Sequence, residues 1–196
     1  MTDPPVQGAR RVLVLADSVG GGTGSIIGAV TGRWDPDRWH VTIMTPGVLR
    51  ARLAPHVRVE QLPPLGGIGG YPIGQLRRFA QVRRRVQALQ PDVLHTYFFW
   101  SIIYGRLLRR GGAVARLVEN REDEGFNWGR HEYALLRTTA SIPDRIICVS
   151  DAVRKVVAER EHTPAERIVT IHNGIDVSEG SGPDRAARDR MRRRPS

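Results

Sequence analysis

Four places along this chain hold residue types that could do chemistry. Gly20, Gly21, Gly22 and Gly24 follow directly on an apolar run, RVLVLAD. Glycines at such a turn let backbone N–H groups approach a phosphate closely, and a helix starting there adds its positive end. The pattern is neither GxGxxG nor a P-loop with its lysine, so a flexible strand-to-helix turn is the alternative. His95 closes a second run, DVLHTY, where it could donate to a sugar hydroxyl or a phosphate, or serve as a satisfied structural residue. Glu119, Asn120, Arg121, Glu122, Asp123, Glu124 and Gly125 put five charges in seven positions, an array for binding hydroxyls or cations unless it is a solvated loop. The fourth place is a helical pattern with Leu76, Phe79, Val82, Val86 and Leu89 at three- and four-residue steps and Arg77, Arg78, Arg83, Arg84 and Arg85 between them. That face could meet anionic lipid head groups at roughly 1 kcal/mol per Arg, or it is simply solvated. No His, Cys or carboxylate set has metal-ligand spacing, so no metal is expected.

The elements that would position these residues alternate: short β-branched runs, then amphipathic stretches. That order predicts an α/β fold, doubly wound, with a mainly parallel sheet of about seven strands. The strands are read at RVLVLAD, WHVTIMT, VRVEQL, DVLHTY, ARLVE, DRIICVS and RIVTI. Helices are read at IIGAVTG, a short GVLRARLAP, residues 76–89, WSIIYGRLLRR, EYALLRTTA and AVRKVVAER, the last capped by Ser150 or Asp151. PPLGGIGGYP reads as a loop. In such sheets ligands sit beyond the carboxyl ends of the strands, where the glycines, His95 and the charged segment all fall. Residues 1–10 are read as a disordered N-terminus, 11–176 as the domain and 177–196 as a linker with a basic tail.

Composition narrows the function. A chain of 196 residues suits one ordinary domain, and 40% hydrophobic residues suit a globular one. A single cysteine, Cys148, in the run RIICV reads as a small buried hydrophobe. The net charge of +10 invites nucleic acid, but 29 of the 30 basic residues are Arg and +4 of the charge sits in the last thirteen residues. With no zinc-finger or aromatic RNA-binding pattern, nucleic acid is not expected as a partner. A dehydrogenase needs an acidic residue about 20 positions past the glycines, and Asp35 and Asp37 come too early. Neither a signal peptide nor an apolar run of roughly 18 residues is visible, so the expected location is cytoplasmic, with peripheral contact at an anionic membrane face open.

The order of the pieces adds a resemblance. RVLVLADSVGGGTGS looks like the first strand and glycine loop of the group-4 family of retaining glycosyltransferases. PDVLHTY resembles that family's Pro-Asp-x-x-His strand, DRIICVSDAVRKVV its strand, Ser and helix, and ERIVTIHNGID its entry to the interdomain linker. NREDEGFNWGRHEYALLR is similar to the loop and helix of one branch. The resemblance covers residues 11–176 and implies a Rossmann-like, acceptor-side half of a GT-B fold. It implies that Gly20, Gly21 and Gly22 face the donor's diphosphate and that His95 lines the cleft floor. It also implies that Glu119, Asn120, Arg121 and Asp123 meet the acceptor and that His172, Asn173 and Gly174 form the hinge; His95 and Glu119 are the catalytic candidates. Two departures stand out: Glu119 and Asn120 occupy the place of a family histidine, and Tyr97 that of another.

The resemblance therefore implies transfer of a sugar from a nucleotide-sugar co-substrate, without other cofactor, to an acceptor glycan, lipid or small molecule. The family's donor-domain elements do not follow, although PDRAARDRMRRR resembles the helix that begins that domain. The expectation is a fragment, a frameshift product or one subunit of a split enzyme with a donor-domain partner chain, inactive alone. The alternative is a non-catalytic acceptor-binding or partner subunit.

Overall fold

The β-branched runs take their places in one sheet. The structure is a computed structural model that describes residues 8–47, 53–66 and 72–174. Its strands are β1 (Arg10–Ala16), β2 (Trp39–Pro46), β3 (Arg58–Leu62), β4 (Val93–Tyr97), β5 (Leu117–Arg121), β6 (Arg145–Cys148) and β7 (Ile168–Thr170). All pair in parallel, in the order β3-β2-β1-β4-β5-β6-β7. The helices are α1 (Gly21–Gly32), α2 (Pro72–Leu89), α3 (Phe99–Arg110), α4 (Arg130–Thr138) and α5 (Asp151–Arg160). The doubly wound, parallel sheet read from the sequence is the one observed.

Register decides which residues share a face, because side chains alternate along each strand. Leu13 lies beside Leu94 and Leu94 beside Leu117, while Thr96 lies beside Glu119. That face buries Leu13, Leu15, Met44, Leu94 and Leu117 against Val82 and Val86 of α2 and Tyr104 and Leu108 of α3. On the opposite face Val14 neighbours His95, and Tyr97 neighbours Asn120. There Val14, Ala16, Ile43 and Tyr97 pack against Ile27 of α1 and Val19 of the turn before it. Ile146, Cys148 and Ile168 pack on Val153 and Val157 of α5, so Cys148 is the buried hydrophobe expected; burial pushes its thiol up to about 11. Close approach of α3 to the sheet depends on Gly105, where a Cβ would lie 2.7 Å from Thr96 Cγ2 and 2.9 Å from Leu117 Cδ1.

The structure differs from the sequence reading in three respects. β5 runs on past Glu119 to Arg121, so Asn120 and Arg121 belong to the strand rather than to the loop after it. Leu76 is 68% exposed instead of facing the core. At 100° per residue it stands roughly 120° round the helix from Val82, outside the stripe of Phe79, Val82, Val86 and Leu89. The same rotation puts Arg78 on the inward side, and Arg85 reaches Glu60 at 3.0 Å. Four of the five arginines, Arg77, Arg83, Arg84 and Arg85, are exposed, and of these Arg85 is paired with Glu60. Residues 1–7, most of the short helix read at 47–55, and the linker and tail at 177–196 lie outside the described residues. Among the described residues no helix is long and apolar enough to cross a membrane.

Candidate functional site

The chain reverses its progress across the sheet between β1 and β4, with β2 and β3 on one side of β1 and β4 to β7 on the other. Ligands of open parallel sheets sit beyond the carboxyl ends at such a switch point. Two helices start there. α1 opens at Gly20 with no side-chain cap and no acidic residue in its first turn. Gly21 has φ +63°, a conformation that favours glycine, and a Cβ at Gly21 or Gly22 would meet nothing within 4 Å. The space beside Gly21 and Gly22 is therefore open and the positive end of the helix lies there, while Gly20 N donates to Ser18 Oγ at 3.3 Å.

The start of α3 is already occupied. Phe98 at its N-cap has φ +69° and supplies no cap of its own. Asp17, at the end of β1, takes that role: Trp100 N donates to its Oδ2 at 2.8 Å and Ser101 N to its Oδ1 at 2.6 Å. Ser101 Oγ donates to the same carboxylate. Burial raises the Asp17 pKa despite these bonds. Of the two helix starts at the switch point, one holds a carboxylate and the other has no side-chain cap. Sequence reasoning misses Asp17, although an aspartate ending the first strand is in plain view; its partners are 83 and 84 positions away.

Beside the glycine turn, on the α1 face, lies a polar cluster. The His95 ring is buried and stands 4.7 Å from the Tyr97 ring. Burial lowers its pKa to about 4 against a hydrogen bond with the Asn120 side chain, so the imidazole is neutral at neutral pH. Its Nε2 is enclosed and has no hydrogen-bond partner. Asn120 Nδ2 donates to Glu122 Oε1. Burial raises the Glu122 pKa, opposed by hydrogen bonds from Asn173 and Asn120. The sequence does not single out Glu122, because nothing in residue type separates it from Glu119, Asp123 and Glu124. Asp123 is exposed, and its Oδ1 accepts Gly125 N at 2.6 Å.

Glu119 and Arg121 are not part of that cluster. Strand alternation turns them to the α3 face, where Arg106 Nε and Nη2 donate to the two Glu119 oxygens at 2.7 and 2.8 Å. Arg121 Nη2 donates to Glu119 at 2.9 Å and to Glu161 at 2.8 Å. Burial alone would raise the Glu119 pKa, but Arg106 and Arg121 outweigh it and hold the carboxyl below its usual range. Glu119 is 0% exposed and Arg121 2%, so neither side chain reaches the surface at the switch point. This corrects the expectation that they meet an acceptor and that Glu119 does catalysis: their charges balance each other inside the domain. His172, Asn173 and Gly174, read from the sequence as the hinge, follow β7, with His172 Nδ1 3.1 Å from Val149 O and Asn173 on Glu122.

Cavities of about 550 and 310 Å³ open at the opposite, amino edge of the sheet, lined by Arg10, Arg11, Asp92 and Arg116 and by His40, His56 and Arg58. Among the described residues neither is lined by a buried polar atom lacking a partner, whereas His95 Nε2, on the middle residue of β4, has none. The candidate site is therefore taken at the His95 cluster and the glycine turn.

The sequence profile of Glycosyltransferase Family 4 matches residues 20–179. The chain belongs to that family. No curated protein sequence matches it significantly. The family 4 chain is similar in structure to Alr3699/HepE of Anabaena, solved with UDP and glucose, at 17% identity and a TM-score of 0.70, over 92% of this chain and 49% of that one. It is likewise similar to a glycosyltransferase of Rickettsia africae, at 15% identity and 0.68, over 96% and 50%. Sucrose-phosphate synthase of Thermosynechococcus elongatus matches at 17% and 0.64, over 94% and 53%. The family 4 chain thus has the Rossmann-like fold of one half of a GT-B glycosyltransferase and spans about half the length of these structures.

Proposed function

We propose that this chain is the acceptor-side half of a retaining glycosyltransferase, moving a sugar from a nucleotide-sugar donor to a glycan, lipid or small-molecule acceptor. The observation that carries it is the uncapped glycine start of α1 at the switch point, with the polar cluster around His95 on the α1 face. The N–H groups of Gly20, Gly21 and Gly22 suit the donor diphosphate, where charge develops as the nucleotide leaves. His95, Asn120 and Asp123 meet acceptor hydroxyls, while Glu119 and Arg121 hold β5 in place. His172, Asn173 and Gly174 form the hinge to a donor-binding half, supplied by further chain or by a partner chain. No cofactor beyond the nucleotide sugar enters. The protein works in the cytoplasm, and Arg77, Arg83 and Arg84 with exposed Leu76 give α2 a face for peripheral contact with an anionic membrane.

Titration of the isotopically labelled 196-residue chain with UDP-glucose and other nucleotide sugars tests this, read by amide shifts. The expected result is a response confined to Gly20, Gly21, Gly22 and their neighbours. Turnover by the chain alone is expected far below the roughly 1–10³ per second of intact enzymes. A response only at Arg10, Arg11 and Arg116, or none with any donor, would overturn the reading. The half-length match also favours a second reading, a non-catalytic acceptor-binding subunit. Transfer on mixing with a co-purifying donor-domain chain supports the enzyme; a stable complex that transfers nothing supports the subunit.

A further inference from the structure

An asparagine amide has two unlike ends, a donor NH₂ and an acceptor oxygen. In Asn120 the NH₂ is committed to Glu122 Oε1. The end left for the histidine ring is the oxygen, so the ring must donate to it. Nε2 has no partner, which makes Nδ1 the donating nitrogen. His95 is then the Nδ1–H tautomer, and its Nε2 presents a bare lone pair. Asn173, in the segment leaving β7, holds the same Glu122 carboxylate from the other side.

We propose that Glu122 is a positioning residue: by fixing the Asn120 amide it fixes the tautomer of His95, so that Nε2 accepts a hydrogen bond from a ligand hydroxyl. The site therefore takes a polyol or sugar hydroxyl at this point and rejects a fully ionised anion, which has no proton to offer a lone pair. This ligand class rests on the acceptor-side reading above; the tautomer relay does not. Hydrogen bonds that orient a functional imidazole from behind set which nitrogen carries the proton, as they do for metal-bound histidines. Because Asn173 belongs to the hinge segment, the relay also joins the ligand-facing nitrogen to the exit from the domain.

The test is a long-range proton–nitrogen correlation of the imidazole groups in the labelled full chain at neutral pH. The wild-type protein should show His95 as a single Nδ1–H tautomer with Nε2 in the unprotonated range. Glu122→Ala should convert this to a mixture with Nε2 partly protonated. Glu122→Gln, whose amide oxygen still accepts from Asn120, should restore the wild-type pattern. Asn120→Leu should lose the Nδ1–H preference as Glu122→Ala does, giving a second variant should the first fold poorly. Methyl glucoside should shift the His95 Nε2 signal, and inorganic sulfate, which carries no proton at neutral pH, should leave it in place. A wild-type Nε2–H tautomer, or a Glu122→Ala spectrum like wild type, overturns the relay. A Nε2 signal moved by sulfate, or by neither probe, overturns the ligand class. If the relay holds while Gly20 to Gly22 ignore every nucleotide sugar, the proposed function fails and the relay stands.

Discussion

Arg106 has every polar atom of its guanidinium engaged although only 1% of it is exposed. It grips Glu119 with two nitrogens, and its Nη1 donates to Leu136 O and Thr139 Oγ1, both at 2.8 Å. With Arg121 and Glu161 it makes a net-neutral set of four buried charges. Removing one member of such a set strands the others in a low-dielectric interior, which is worse than never having had them. Arg106→Ala should cost about 3–5 kcal/mol of stability in urea unfolding. Arg106→Lys should recover little of it, since an ammonium cannot make the bidentate grip and reach two further acceptors at once. A loss below about 1 kcal/mol for Arg106→Ala would show that the network is not held as described.

At the scale of elements, the crossing of α3 over β4 and β5 is set by a missing side chain. Gly105 lets the helix backbone approach Thr96 and Leu117 closely enough to bring Arg106 onto Glu119. Gly105→Val would drive a branched side chain into both strands, and overpacking of this kind costs about 1–3 kcal/mol. The same displacement would pull Arg106 from Glu119, so the loss should reach the upper part of that range or beyond it, measured by thermal or urea unfolding. An unchanged midpoint would mean that α3 does not pack as closely as Gly105 implies. Asp17 does comparable work at the other end of the helix, tying the end of β1 to the start of α3. These two contacts leave the N-terminus of α1 as the open one at the switch point.

For the whole molecule, the pH dependence of stability follows from which groups the fold buries. His95 has its pKa lowered from 6.5 to about 4 by burial, so between those values the native state holds fewer protons on it than the unfolded chain. Stability contributed this way is complete above pH 6.5 and is lost as the pH falls toward 4. A fall of that size corresponds to roughly 3 kcal/mol in all. Glu119, held low by Arg106 and Arg121, adds a further loss only below its ordinary 4.5. Asp17 and Glu122, raised by burial, act with the opposite sign. Comparison with His95→Gln separates these contributions: wild type should lose up to about 3 kcal/mol more than the variant between pH 6.5 and 4. Parallel curves for the two proteins would mean that His95 titrates normally and is not buried as described.

The seven strands, their helices and the parallel, doubly wound arrangement were legible in the sequence because they rest on local periodicity. Alternating apolar residues make strands, three- and four-residue steps make helices, and Ser150 marks a helix start; Val153 N indeed donates to it at 3.2 Å. The glycines after the first strand and His95 near the end of the fourth were likewise visible, since residue type and place suffice to name them. The division of the segment after the fifth strand was not. Glu119, Asn120, Arg121 and Glu122 are four polar neighbours in a row, and no pattern in the chain tells which pair turns inward. Their fates were decided by where β5 ends, by Arg106 arriving from α3 and Glu161 from beyond α5, and by Asn173 returning after β7. Local spacing sets which element a residue belongs to; only contacts between distant elements decide whether its charge is neutralised inside the domain or left facing a ligand.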